Sequence, residues 1–203
     1  MPAFETSWTT AWTALGAQGD GLAEYRALLT RYAEPHRAYH TRQHLAECLA
    51  LFEQYRSLAQ QPAEVCLALW YHDAIYDIPA SDNEERSAAL AATELAAAGV
   101  PANAVARIRE LILATRHAAA PAGPDAALLV DIDLAILGAD PARFAEYEAQ
   151  IRREYQAVPE ALFRSKRREI LQTFLDRPQL FCCPALAARF EDAARANLRR
   201  ALA

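Results

Sequence analysis

Two adjacent residues, His72 and Asp73, carry side chains that bind divalent metals, and they stand just after the apolar run 65–70. Such a run predicts a buried helix, and a charged pair at its end is costly unless something compensates it. A divalent cation would do so, because it takes imidazole nitrogen and carboxylate oxygen together. An aspartate that holds a histidine by a hydrogen bond, without metal, is the alternative, and the pair alone does not decide between them.

A further histidine stands at the start of another predicted helix. Thr41 is a good N-cap residue, and the segment after it places apolar residues 45, 48, 49 and 52 on one helical face. His44 therefore falls in the first turn of an amphipathic helix, and His40 falls in the loop that leads into it.

Two carboxylates lie inside an apolar segment further along the chain. Asp131 and Asp133 alternate with Val130, Ile132 and Leu134 in a predicted helix. An acidic residue in such surroundings needs a partner, which can be a metal or a buried arginine. Helices that each contribute ligands to a shared centre are a known way to build a metal site in a bundle.

The composition predicts an all-α fold. The chain has 203 residues, is 53% hydrophobic and contains only 6 glycines, while alanine and leucine, both strong helix formers, dominate it. Runs of β-branched residues, which favour strands, are nearly absent. The apolar stripes and helix breaks predict roughly eight to ten helices in a single domain.

Charge and cysteine content exclude several classes of protein. The formal net charge of −5 argues against general affinity for a nucleic-acid polymer. The 4 cysteines form no C-x-x-C pair and are expected to be free thiols in a reducing compartment. The N-terminal residues lack a signal-peptide pattern and no apolar run has membrane-spanning length, so we expect a cytoplasmic protein without a membrane partner.

The order of these residues resembles that of the HD superfamily of metal-dependent phosphohydrolases, and most closely the bacterial family of predicted HD-superfamily phosphohydrolases. The resemblance extends from about Arg37 to Asn197. The segments that carry it are Arg37-x-Tyr39-His40-x-x-x-His44, Trp70-Tyr71-His72-Asp73-Ala74-x-Tyr76-Asp77, Asn83-Glu84-Glu85-x-Ser87, Ala114-Thr115-x-His117, Asp131-x-Asp133-Leu134-Ala135-x-Leu137-Gly138 and Glu191-x-x-Ala194-Arg195-x-Asn197-Leu198.

The resemblance implies a single-domain helical bundle of the HD type, formed by residues 1–203 with extra N- and C-terminal helices. The metal-site core would span about residues 37–140, and the C-terminal helices in 141–203 would pack on it. Individual segments are short, so the implication rests on their number and order.

The resemblance also implies a set of metal ligands, namely His44, His72, Asp73 and an aspartate from a later helix. Asp133 matches the family pattern better than Asp131. Residues two apart on a helix point in different directions and do not readily share one ion. Asp131 would then support a ligand or a neighbouring helix through a hydrogen bond, or take the place of Asp133.

Catalytic candidates follow from the same resemblance. Tyr39-His40-x-x-x-His44 is similar to the paired-histidine segment of cyclic-nucleotide phosphodiesterases, which makes His40 a general-acid candidate. The alternative for His40 is a loop histidine that caps the next helix. Glu84 and Asp73 are candidate bases that accept a proton from water. For Glu84 the alternative is a first-turn glutamate stabilised by the helix N-terminus.

Candidates for substrate binding are Arg37, Arg116 and His117, since arginine matches phosphate oxygens in two-pronged fashion. For His117 the alternative is an ordinary histidine at a helix C-terminus.

Many HD proteins that bind two metal ions carry two additional histidines between the His-Asp pair and the last aspartate, whereas this chain has one. The sequence therefore favours a single ion.

The function expected from the resemblance is hydrolysis of a small phosphoester, such as a nucleotide, by metal-activated water. The mixed histidine and carboxylate ligands suit Mn, Fe, Co, Ni or Zn, with Mg also allowed. The alternatives are a non-catalytic sensor of the same fold that binds metal or nucleotide, and a purely structural helical protein. A homodimer is left open.

Overall fold

The computed structural model describes residues 2–78 and 80–203, and within them every regular element is helical, which confirms the all-α prediction. The chain divides into two compact units, Met1–Val130 and Asp131–Ala203. This boundary falls inside the predicted core, about 37–140. The single HD-type domain therefore stays a prediction.

The first unit is built from short and medium helices, with longer connections at residues 32–41 and 72–82. Its α-helices are α1 (Pro2–Ala14), α2 (Leu22–Arg31), α3 (Arg42–Tyr55), α4 (Pro62–Tyr71), α5 (Asn83–Ala97) and α6 (Ala102–Ala114), with a 3₁₀ turn at Arg56–Leu58. Proline at the first position of α4 is favoured, because it lacks the N–H that has no helical partner there. Pro62 occupies this first position of α4.

Helix α4 is the core of the first unit. Every residue from Glu64 to Tyr71 is buried, and the helix packs against α1, α3, α5 and α6. A helix that is apolar on all sides must be surrounded in this way. The Trp70 ring lies 5.4 Å from Trp8 and 5.6 Å from Tyr25, both edge-on, which ties α4 to the two N-terminal helices.

The one acidic residue in this buried stretch of α4 has its own counter-ion. Both carboxylate oxygens of Glu64 accept hydrogen bonds from Arg107 of α6, at 2.6 and 2.8 Å. A buried carboxylate is tolerated only when its charge and lone pairs are satisfied in this way. The pair therefore fixes α6 against the start of α4.

The helix α7 (Pro124–Asp133) contains the boundary between the units, and the second unit continues with a 3₁₀ helix at Leu134–Gly138 and with α8 (Pro141–Glu154), α9 (Glu160–Leu175) and α10 (Pro184–Leu202). Helix α10 packs on the 3₁₀ helix and on α9. At the first contact a Cβ on Gly138 would lie 2.8 Å from the carbonyl oxygen of Phe190, so only glycine fits. Asn197 of α10 closes the contact by donating to the carbonyl oxygens of Leu137 and Ala139.

Among the described helices, none combines the length and the apolar character that crossing a membrane requires.

Candidate metal centre

Three of the predicted ligands meet at the contact between α3 and α4. The hydroxyl of Thr41 accepts the N–H of Gln43 and caps α3, as the sequence predicts, so that His44 lies in the first turn. His72 is the residue that ends α4, and Asp73 follows it in a turn. The helix ends therefore bring two segments, about thirty residues apart, to one point.

The ligand atoms of these three residues form a compact triangle. His44 Nε2 lies 3.1 Å from His72 Nε2 and 3.4 Å from Asp73 Oδ2, and His72 Nε2 lies 3.1 Å from Asp73 Oδ2. Ligand atoms bound to one ion at about 2.0–2.2 Å are separated by about 3.0–3.5 Å at octahedral to tetrahedral angles. The donors present therefore fit a divalent metal.

The imidazole of His72 is held with one nitrogen directed at this point. Its Nδ1 lies 2.8 Å from the carbonyl oxygen of Leu69, which can only accept a hydrogen bond. Nδ1 must then carry a proton, so Nε2 is the ring atom that faces His44 and Asp73, and whenever the ring is neutral its lone pair is on Nε2. A ring nitrogen bonded to a backbone carbonyl is the usual support of a metal-binding histidine.

The carboxylate of Asp73 is held in its charged form. Burial raises its pKa, but the neighbouring charges of His72 and His40 and the ring of His44 outweigh burial and hold the pKa well below its usual range. Its Oδ2 atom is buried and accepts no hydrogen bond of good geometry from any described residue. A bound cation is one group that could satisfy such a buried anionic oxygen.

Cys48 also lies beside these residues, although its position in the sequence indicates only the apolar stripe of α3. Its Sγ lies 3.7 Å from both ring nitrogens of His44, one helical turn before it. The ligand atoms of His44, Cys48 and His72 all lie within 4.8 Å of one another. The signal that could have found it is the four-residue spacing from His44, which stacks two side chains on one helix face.

Arg37 is buried and its guanidinium is engaged with the protein itself. It donates to the carbonyl oxygens of Asp73 at 2.6 Å, Ala74 at 3.1 Å and His40 at 3.2 Å, and to the carboxylate of Glu34 at 3.0 Å. The predicted contact with substrate phosphate does not fit this geometry. Arg37 instead ties the loop before α3 to the turn that carries Asp73.

His40 lies beside the ligand triangle. Its ring centroid is 6.0 Å from that of His44, and its ring stacks on Tyr76 at 4.2 Å. Its charge is among the influences that lower the pKa of Asp73. The predicted general acid is therefore close to the candidate metal centre, although its catalytic role stays a prediction.

Glu84 and His117 are close enough to interact, from the start of α5 and the end of α6. Burial raises the pKa of the Glu84 carboxyl and the charge of Asp73 adds to this, whereas its own backbone N–H and His117 lower it. His117 has a φ of 54°, a left-handed conformation that is uncommon for any residue except glycine. Strain of this kind tends to occur at functional sites, and both residues stay candidates.

Arg116 precedes His117 and forms an ion pair with Glu85 of α5. Its side chain also lines a groove of about 910 Å³ that runs along α6 to the small-residue segment 118–124. The guanidinium is partly exposed, so a phosphate contact would compete with Glu85 for it. Its predicted role in substrate binding stays open.

Asp131 and Asp133 belong to the second unit. The carboxylate of Asp131 accepts the backbone N–H groups of Cys182 at 2.9 Å and Cys183 at 2.5 Å, the two residues that directly precede α10. Burial raises its pKa to about 6, although these two N–H groups lower it. These two hydrogen bonds satisfy the buried Asp131 without an arginine partner. The alternative ligand role of Asp131 and the predicted ligand role of Asp133, the last residue of α7, both stay predictions.

A cleft beside the Asp73 turn was not expected from the sequence. It has a volume of about 360 Å³ and is lined by residues that include Arg31, His36 and Arg86. These basic side chains come from α2, from the loop after it and from α5, and the acidic residues Glu34 and Asp77 line the same cleft. The cleft offers space for a small ligand next to the segment that follows the candidate ligands.

No family model, curated protein or solved structure matches the chain. The likeness to the HD superfamily therefore rests on the sequence segments alone. What the geometry adds is a buried group of His44, Cys48 and His72, with the carboxylate of Asp73 beside it, that could hold a metal ion.

Proposed function

We propose that the protein is a metal-dependent phosphohydrolase that acts on a small phosphoester such as a nucleotide. The observation that carries the proposal is the triangle formed by His44 Nε2, His72 Nε2 and Asp73 Oδ2, with sides of 3.1–3.4 Å. Two imidazoles and an orphaned buried carboxylate oxygen match the donor set of a catalytic transition-metal site.

These three residues would hold one divalent ion, with Asp133 as the predicted fourth ligand. Mn, Fe, Co, Ni and Zn suit these donors best. A bound ion of this kind supplies Lewis acidity to a phosphoryl oxygen and lowers the pKa of water. His72 is held for this purpose by its hydrogen bond to the carbonyl oxygen of Leu69.

The residues around the triangle would handle protons. Glu84 has a pKa raised by burial, and a carboxylate with a raised pKa is a better acceptor of a proton from water near neutral pH. His40, held by its stacking on Tyr76, would donate a proton to the leaving oxygen. Both assignments are part of the proposal.

The engagement of the predicted phosphate-binding residues favours a second candidate, a metal- or nucleotide-binding sensor that does not turn its ligand over. Arg37 is bonded to backbone carbonyls and Arg116 is paired with Glu85. Substrate phosphate would then have to be held by other groups. Both candidates require the metal, and only the enzyme requires turnover.

The test combines metal content with turnover. We expect about one equivalent of transition metal in the purified protein, and hydrolysis of nucleotides or of a chromogenic phosphodiester after reloading with Mn, Co or Zn. Asp73→Asn, which keeps the side-chain shape, should lose both properties. Asp77→Asn is the matched control, because Asp77 is exposed in the same segment and pairs only loosely with Arg86 at 3.6 Å.

The outcomes separate the candidates. Metal lost in Asp73→Asn together with turnover supports the enzyme. Metal binding without turnover of any phosphoester supports the sensor. A wild-type protein that takes up no metal even after reloading would overturn both.

A further inference from the structure

The segment 73–77, which follows α4, is held by side chains although it forms neither helix nor strand. The backbone carbonyl oxygen of every residue in it accepts a hydrogen bond from a side chain. The donors are Arg37 for Asp73 and Ala74, Ser87 for Ile75, His36 for Tyr76 and Asn83 for Asp77. Connecting segments are ordinarily the more mobile parts of a protein. Bonding of this density therefore marks a segment that must keep one shape.

Two residues of α5 hold the segment from one side. The hydroxyl of Ser87, which is completely buried, accepts the N–H of Ile75 at 3.0 Å and donates to its carbonyl oxygen at 3.4 Å. The side-chain amide of Asn83 accepts the N–H of Asp77 at 3.0 Å and donates to its carbonyl oxygen at 3.0 Å. Asn83 and Ser87 are one helical turn apart and share one face of α5. These two side chains form a clamp, the α5 clamp, on the segment.

Tyr76 stands between the two clamped positions and reaches the surroundings of the candidate metal centre. Its ring stacks on the imidazole of His40, with the ring centroids 4.2 Å apart. The guanidinium of Arg37 lies over the same ring, 5.5 Å from its centroid. His36 donates a hydrogen bond of 2.8 Å to the backbone carbonyl oxygen of Tyr76. Backbone and ring are thus both held, so the ring keeps one place beside His40.

His40 depends on its neighbours for orientation, because it lies in the loop between α2 and α3. The ring of Tyr39 meets its imidazole edge-on at 4.9 Å, and Tyr76 covers one face. The imidazole centroid lies 6.0 Å from that of His44, with the two rings at 78°. A catalytic group has to be held within about 0.5 Å of its working position by packed side chains. In a loop, that restraint must come from contacts such as these.

We infer that Tyr76 is a positioning residue that holds the imidazole of His40 beside the metal centre, and that the α5 clamp fixes Tyr76 in turn. The inference rests on the proposed function, in which His40 donates a proton to the leaving oxygen, and deepens it. Asn83 and Ser87 then serve catalysis through the backbone of residues 75–77, to which both side chains are bonded.

Nuclear magnetic resonance of the full-length, metal-free protein with labelled histidines tests the inference without recourse to turnover. The nuclear Overhauser contact between the imidazole protons of His40 and His44 reports how His40 is held, and His40→Gln assigns the signals. We expect this contact in the wild type and in Tyr76→Phe, which keeps the ring, and its loss in Tyr76→Leu. A contact that persists in Tyr76→Leu would overturn the inference.

The α5 clamp is tested with Asn83→Ala and Ser87→Ala. Each should move the imidazole signals of His40, and neither should move them further in a Tyr76→Leu background, because effects that pass through one residue are not additive. Thr93→Ala is the matched control, since it removes an exposed hydroxyl of α5 that bonds within its own helix. Equal movements in both backgrounds would show that the clamp does not act through Tyr76. If the clamp variants do not fold, Phe and Leu at position 76 still decide.

Turnover separates this inference from the proposed function. The value of kcat should fall by about tenfold or more in Tyr76→Leu, as in His40→Gln, with metal content unchanged and with activity retained in Tyr76→Phe. An unchanged kcat in Tyr76→Leu would overturn the role of Tyr76 in catalysis. A wild type without turnover counts against the phosphohydrolase, whereas the contact between His40 and His44 still decides whether Tyr76 holds His40.

Discussion

The guanidinium of Arg37 donates a hydrogen bond of 2.6 Å to the backbone carbonyl oxygen of Asp73. The side chain is buried, and it also donates to the carbonyl oxygens of Ala74 and His40. It thereby joins the loop that carries His40 to the turn that presents the carboxylate. Arg37 acts on the candidate metal centre through the backbone, so we regard it as a positioning residue.

Replacing Arg37 by Lys should weaken metal binding. Lysine has a single ammonium group and cannot reproduce the fork of donors that spans three carbonyl oxygens. Loss of a group that orients ligands costs about 10- to 100-fold in metal affinity, measured here by competition titration with Zn. Arg26→Lys, at an exposed position of α2, is the control. Unchanged Zn affinity in Arg37→Lys, with only a lower melting temperature, would show that Arg37 merely stabilises the fold.

Replacing Thr41 by Ala should destabilise the protein by about 1 kcal/mol. The hydroxyl of Thr41 accepts the N–H of Gln43, which has no helical partner at the start of α3. Thr41→Ser retains this acceptor and should stay within a few tenths of a kcal/mol of the wild type. Urea denaturation of the metal-free proteins measures the difference. Equal destabilisation by Ser and Ala would assign the effect to the methyl group instead of the cap.

Asp131 should make stability depend on pH. Its pKa in the folded protein is about 6, above the value of about 3.9 expected in the unfolded chain, so the folded state binds the proton more tightly. Its stabilising contribution is complete below about pH 4 and is lost as the pH rises through about 6. About two pKa units correspond to a loss of about 3 kcal/mol.

The measurement for Asp131 is the free energy of unfolding of the wild type and of Asp131→Asn in the presence of chelator, at several pH values between 4 and 7. The difference between the two proteins isolates this carboxyl from the other acidic groups. We expect the wild type to lose stability relative to Asp131→Asn across that range. A constant difference would mean that Asp131 titrates normally.

The variant His117→Gly should be more stable than the variant His117→Ala. Its φ of 54° is accessible to glycine without strain, whereas steric clashes of the alanine Cβ destabilise this conformation by about 1 kcal/mol. Both variants lack the imidazole, so thermal denaturation of the pair reports the backbone alone. If the imidazole serves the site, His117→Gly should also bind ligand or turn substrate over less well than the wild type. Equal stability of the Gly and Ala variants would contradict the strain.

The local features of the candidate site could be read from the sequence. Thr41 caps α3, Pro62 begins α4, and the apolar run before His72 is a buried helix that ends at the His-Asp pair. Each of these depends on residues within one or two helical turns of one another. Capping, proline geometry and apolar periodicity act over that range, so the order of the residues contains the information.

The partners of the polar side chains were decided by the tertiary structure. Arg37 bonds to the carbonyl oxygen of a residue 36 positions away, and Asp131 bonds to N–H groups 51 and 52 positions away. The sequence could show that a buried Asp131 needs a partner, but not that the partner is the backbone before α10. Every residue except proline offers the same N–H and C=O groups. The sequence therefore carries no mark of which backbone group a side chain will meet, and only packing brings the two together.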